Sequence, residues 1–280
     1  MIERIRSLQL RHHYKVWNDI WRSPLPVDVK RTIRQMYLQA VILRKHDAPT
    51  RSLDAAGYTI RYCTHNHFLL LFQEIFLDHS YHFVTSSRTP RIVDCGSNIG
   101  MAVVYFKLLF PDSQILAFEP DHDAFGCLVA NIENNDIHSV TPANLALAET
   151  DGEVDFFFSE HTPGSLTSGI VRQRSSVQCR KVRAVRLSDH VDGEVDFLKI
   201  DVEGSELGIV RDLCLTGKIR YVSQMAIEYH HHINADEDTF STILGHLENA
   251  GFGYQIGTRH MRRPLAQRKF QDIFLYAYRK

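Results

Sequence analysis

Two short runs of the chain gather residue types that move protons or hold cations. In LKIDVEGSE (198–206), Lys199 and Asp201 alternate with Leu198 and Ile200, so an extended backbone points both charges to one face. A buried Lys and Asp must find partners or cost several kcal/mol in lost hydration, and Lys199 is expected to neutralise a neighbouring carboxylate. In IEYHHHIN (227–234), Glu228 and His230 share a face in the same way. An imidazole with an unperturbed pKa of about 6.5 suits a general base, and Glu228 is placed to orient its ring. Lys199, Asp201, Glu228 and His230 are therefore the candidate catalytic set. A divalent ion on Asp201, Glu228 and His230 is the less favoured alternative. His231 and His232 point in opposite directions on an extended chain and read as surface histidines. Glu203 and Glu206 stand where a helix begins, and carboxylates there favour the helix dipole.

A third run, VDCGSNIG (93–100), ends a short apolar strand in Asp94 and turns through Gly96 and Gly100 into a helix. Glycines in such a turn let backbone approach a ligand, and the helix start offers free N–H groups. Glu119 follows 25 positions after Asp94, at the end of the next apolar strand, ILAFEP. A carboxylate there can accept both hydroxyls of a ribose. A nicotinamide dinucleotide asks for GxGxxG, and here Asn98 stands where a second glycine belongs. A ligand carrying an amino acid fits better, with Asp94 facing its ammonium group, and that points to S-adenosylmethionine. The candidate cofactor set is Asp94, Gly96, Ser97, Asn98, Gly100, Glu119, Pro120, Asn144 and Asp201. Asn144 is assigned to the adenine edge and Asp201 to the methionine part.

The elements that must position these residues follow from periodicity. Strands are predicted over 91–95, 114–119, 140–147, 195–201 and 221–229, with helices over 99–109, 122–135, 204–215 and 237–250. Near-continuous apolar strands alternating with helices imply a parallel sheet covered on both faces. Two last runs, 254–258 and 272–278, have no helix between them and predict an antiparallel hairpin at a sheet edge. Upstream, 58–63 reads as a strand and 66–77 as an apolar helix. The segment 152–187 reads as an insertion over the site. At the N-terminus, Ile2, Ile5, Leu8, Trp17, Ile20 and Trp21, then Ile33, Met36, Tyr37, Ala40 and Val41, fall at helical spacing. They predict a helical cap over 1–50, ahead of a catalytic domain over 51–280.

VDCGSNIG, AFEPDHDAFGCLVANIENN, NLALAETDGEV, VDFLKIDVEGSELGIV and AIEYH resemble, in order and spacing, the FkbM family of S-adenosylmethionine-dependent methyltransferases, from about residue 75 onward. The resemblance implies a class I methyltransferase fold, a Rossmann-like α/β doubly wound sheet of order 3-2-1-4-5-7-6. It also implies methyl transfer to oxygen on a natural product such as a sugar or polyketide. Residues 1–50 lie outside the resemblance. The other readings are an N-methyltransferase, a dinucleotide oxidoreductase, and a catalytically silent binding module.

Composition narrows the partners. The net charge of −1 gives no overall attraction to nucleic acid, although residues 1–45 hold ten Lys/Arg against three Asp/Glu. Five scattered cysteines without a CxxC argue against a zinc ribbon or disulfide framework and for reduced thiols. The longest apolar run, FLLLF, is far short of a membrane span, and the first residues lack a secretory pattern. The expected setting is the cytoplasm, with a small-molecule acceptor, no nucleic-acid partner, and homo-oligomers through the N-terminal helices as one role for Trp17 and Trp21.

Overall fold

A computed structural model describes residues 13–43, 51–158, 164–166, 168–171, 178–233, 239–258 and 271–280. Five strands, β3 (Arg91–Cys95), β4 (Gln114–Phe118), β5 (Val140–Ala143), β9 (Val195–Ile200) and β10 (Val222–His231), join the hairpin β11 (Phe252–Thr258) and β12 (Gln271–Arg279) in one sheet. The order is β11-β12-β10-β9-β3-β4-β5, parallel throughout except for β12, which runs antiparallel to both neighbours. Order reverses between β3 and β9, and a ligand crevice opens there, beyond the strands' carboxyl ends. The predicted hairpin is present and begins two residues earlier than expected, at Phe252.

The helices fall where predicted, each a little shorter: α4 (Met101–Leu109), α5 (His122–Asn134), α6 (Glu206–Leu215) and α7 (Phe240–Asn249). Asp121 caps α5 by accepting from the N–H groups of Asp123 and Ala124. Buried Val93, Leu198, Ile200 and Ile227 pack against α6 and α7 on one side of the sheet. Ile92, Ala117, Phe197 and Ala226 meet α4 and α5 on the other.

Four expectations change. The strand predicted over 140–147 is broken after Ala143. Its second part, β6 (Ala146–Leu147), leaves the main sheet to pair with β8 (Gln178–Val185) of the insertion. The described part of the insertion is itself folded, because β8 also pairs antiparallel with β7 (Gly152–Phe158) in a three-stranded sheet. The strand read over 58–63 is β2 (Tyr58–Arg61), hairpin partner of an unforeseen β1 (Ser52–Ala55). The helix read over 66–77 is α3 (His65–Phe72), capped by Thr64, and its last turn widens to a π-helix over Gln73–Leu77.

Residues 13–22 form helix α1, and α2 (Val27–Leu43) follows. The earlier positions Ile2, Ile5 and Leu8 lie outside the described residues. Ile20, Ile33, Met36 and Ala40 are buried in the same cluster as Phe76 and Phe106, so these helices share a core with the main sheet. Trp17 lies under the Arg34 guanidinium, 3.3 Å from its ring centroid, while Trp21 is half exposed. No helix among the described residues is long and apolar enough to cross a membrane.

Candidate active site

The crevice beyond β3, β4 and β9 is one cavity with two differently furnished ends. At one end the β3–α4 turn supplies Gly96, Ser97 and Asn98, and β4 ends in Glu119 and Pro120. Glu119 is buried, and its two carboxylate oxygens accept from the backbone N–H groups of Asn98 and Asp121, each at 2.7 Å. Burial pushes its carboxyl up to about 8, although those two N–H donors pull the other way. Phe118, Leu145, Leu147 and Phe156 add an apolar wall suited to a flat ring.

The glycines of the turn serve close approach within the chain. Gly96 has φ +84°, and a Cβ there would lie 1.7 Å from the carbonyl oxygen of Asp201, where the neighbouring strand ends. At Gly100, also φ +84°, a Cβ would lie 2.7 Å from Leu128 of α5. The tight contacts at these glycines are with β9 and α5, and Gly96 also lines the cavity.

The other end is charged. Lys199 is buried, with Nζ 3.1 Å from Asp94 Oδ1 and 3.3 Å from Asp201 Oδ2, and it donates to the Gly96 carbonyl at 2.7 Å. Burial alone would lower its pKa, but Asp94 and Asp201 outweigh it and hold the ammonium charged. Asp94 is fully buried and forms no part of the cavity wall; Lys199 and Asp201 do. The expected contact between Asp94 and a ligand's ammonium is therefore replaced by an ion pair behind the wall. Asn144 changes role as well. Its amide donates to the carbonyls of Glu119 and Pro120 at 2.8 and 3.3 Å, bracing the loop that carries the carboxylate, and it does not line the cavity.

His230 differs most from expectation. Its ring is buried with Nδ1 2.7 Å from Glu206 Oε1, and Nε2 3.4 Å from Glu203 Oε2 and 3.9 Å from Asp201 Oδ1. Its orienting carboxylate is Glu206, not Glu228. Burial alone would lower the imidazole's pKa, but Glu206 and Glu203 outweigh it and push it well above the ordinary range. That upward shift removes the premise of an unperturbed base. Glu206, read from sequence as a helix-start residue, is fully buried and also accepts from the Gly204 N–H.

Two wall residues were missed. Glu74, on the π-turn, and Tyr81 reach the same end: the Tyr81 hydroxyl donates to Glu74 Oε1 at 2.9 Å, with Asp201 Oδ2 at 3.2 Å and Glu228 Oε2 at 3.3 Å. Glu228 is nearly buried, and burial, then the charges of Asp201 and Glu74, push its carboxyl well above the usual range. The signal for Glu74 was legible: a lone acid inside FLLLFQEIF. Asp201, Glu203 and His230 bring ligand-type atoms within 4.8 Å of one another, as do Glu74, Asp201 and Glu228. The Tyr81 hydroxyl lies among the second set.

Comparison with known proteins gives the following. The family model for the methyltransferase FkbM domain matches residues 94–254. Methyltransferase sdnD of Sordaria araneosa is 30% identical over 173 residues, half of this chain and 67% of that protein. Methyltransferase 1 of Beauveria bassiana is 31% identical over 166 residues, covering 50% of this chain and 65% of the relative. The crystal structure of methyltransferase FkbM from Methylobacillus flagellatus KT aligns at 18% identity and a TM-score of 0.47, over 90% of this chain and 60% of that one. The chain thus spans about two thirds of its curated relatives and less of the solved protein.

Proposed function

The chain belongs to the FkbM family of methyltransferases, and from that premise we propose that it methylates a hydroxyl oxygen of a small molecule such as a sugar or polyketide. The family supplies the class, an S-adenosylmethionine-dependent methyltransferase. The acceptor and the element methylated are this reading's own.

The residues present fit the cofactor. Four hydrogen bonds to Glu119, two from backbone and two from a ribose diol, would fill the four lone-pair positions of an ionised carboxylate. Phe118, Leu145 and Leu147 offer the base an apolar slot, and Asp201 with the α4 N-terminus borders the amino-acid part. When bound, the cofactor supplies an electrophilic methyl group on a sulfonium. The chain's task is alignment of the acceptor and removal of its proton. Lys199 fixes the Asp201 carboxylate, and Glu203 with Glu206 fixes His230, so the polar end is rigid before an acceptor arrives. His230, with both ring nitrogens engaged by those two carboxylates, holds Glu203 and Glu206 in place, and Asp201, on the cavity wall, receives the hydroxyl proton.

The single observation that carries the reading is the pairing of Glu119 at one end of the cavity with a buried, charge-balanced polar cluster at the other. Division of the chain into a cap over 1–50 and a methyltransferase domain over 51–280 belongs to the same proposal. So does a cytoplasmic setting, which suits the free thiols. A panel of hydroxylated sugars, polyketides and nucleosides, with matched amines, tests it by release of S-adenosylhomocysteine, with and without a chelator. Turnover of hydroxyl acceptors alone supports oxygen as the target, and turnover confined to amines overturns it.

A further inference from the structure

Strand β2 and helix α5 meet along a ladder of side chains with matched spacing. Asn135 accepts from the Thr59 N–H at 2.7 Å and donates to the Thr59 carbonyl at 2.9 Å. One helical step back, Asn131 repeats the pattern with Arg61, at 2.6 and 2.9 Å. Four residues of helix rise about 6 Å and two residues of strand about 6.7 Å, so the register holds over several rungs. The next rung pairs Cys127 with Cys63, sulfurs 3.5 Å apart and both side chains buried.

We propose that Cys63 and Cys127 are a reversible oxidative cross-link site, a covalent third rung between β2 and α5. Closing the sulfurs from 3.5 Å to a bond of about 2.0 Å is a small movement, because the two asparagine rungs already hold the backbones in register. The shared S–H pulls the Cys127 thiol down and raises that of Cys63, so Cys127 supplies the thiolate. That thiolate, its proton given up to solvent, attacks hydrogen peroxide; the O–O bond breaks, hydroxide leaves and takes up a proton as water, and Cys127 carries a sulfenic acid. Cys63 sulfur then attacks the sulfenic sulfur, and the S–O bond breaks as the S–S bond forms. The Cys63 proton joins the departing sulfenic hydroxyl as the second water. Two thiols are oxidised by two electrons, one peroxide is reduced to two waters, and a small dithiol reverses the change.

The rung lies between two walls of the cofactor cavity. Cys63 stands two residues before α3, which leads to Leu71 and Glu74, and α5 begins three residues after Glu119. The insertion also rests on it: a Cβ at Gly164 would stand 2.6 Å from Cys63 Sγ and 3.7 Å from Ala124. Exposed Cys179 and half-buried Cys214 are the competing thiols.

The test is mild hydrogen peroxide treatment of the full chain, followed by intact mass, non-reducing peptide mapping and thermal melting. The expected product is about 2 Da lighter, with one linked peptide pair joining Cys63 to Cys127. Because the link closes a 64-residue loop, melting should rise by about 5 °C or more and return on adding dithiothreitol. Cys127→Ser, or Cys63→Ser if that variant does not fold, should lose the mass change and the thermal shift. Unchanged mass, oxygen adducts left on Cys127, or a link through Cys179 in place of this pair would each overturn the assignment.

Discussion

The Nδ1 atom of His230 lies 2.7 Å from Oε1 of Glu206, at a helix start 24 residues earlier in the chain, and that contact sets the charge of the ring. With Glu203 on the other nitrogen, the imidazole is held between two carboxylates in a buried setting, and the neutral form is the disfavoured one.

The first prediction concerns that charge. A histidine whose folded pKa is raised contributes stability fully present below its unfolded value of about 6.5, lost as pH rises through the folded pKa. His230 should keep the ring shifts of an imidazolium at pH 7.5 by NMR, and unfolding free energy should fall with pH more steeply in the native chain than in His230→Gln. Titration of the ring near its ordinary pKa would show that Glu206 and Glu203 do not control it.

Lys199 carries the second. Asp94 is fully buried, and Lys199 is the cation beside it. Lys199→Met should cost about 3–5 kcal/mol in urea unfolding, since it strands a buried carboxylate. Adding Asp94→Asn should recover much of that loss. Two additive penalties would mean the pair is not coupled.

Gly96 supplies the third. An alanine in left-handed backbone alone costs about 1 kcal/mol, but here the new Cβ would meet the Asp201 carbonyl at 1.7 Å. Gly96→Ala should therefore lower the melting temperature by roughly 10 °C or more, as a loss of about 3 kcal/mol does in a chain of this size. A variant as stable as the native chain would place the β9 end elsewhere.

How much of this was legible beforehand depends on the range of the interaction. The strands and most helices were readable because apolar runs such as VDFLKI and the periodicity of 122–135 are local signals, whereas the sheet order came only from the family resemblance. Glu119 was readable because strand-end position and spacing fix it. The partner of His230 was not: Glu228 is two residues away on the same strand face, and sequence proximity favoured it, yet the chain brings Glu206 across from a helix start. Asn144 likewise showed its side-chain type but not that two nearby carbonyls would take its donors. Glu74 stood out as a lone acid in an apolar helix and Tyr81 did not stand out, and for both only tertiary packing carries the side chain to the mouth of β9 and β10. The break after Ala143 follows from pairing with β8, a contact that no local pattern announces.

The most direct test of the central claim is binding of S-adenosylhomocysteine followed by calorimetry against pH. The Glu119 carboxyl, raised to about 8 from 4.5, holds a proton in the folded chain that the unfolded chain has lost, so stability without ligand falls as pH rises across that interval. Full acceptance of a diol requires that proton to leave. Affinity should increase as pH rises from about 6 to 8, with proton release seen as a dependence of heat on buffer ionisation enthalpy, and Glu119→Gln should bind about 10–100-fold more weakly without that dependence. Equal affinity in Glu119→Gln, or no binding by the native chain at any pH, would contradict the assignment of this cavity to the cofactor.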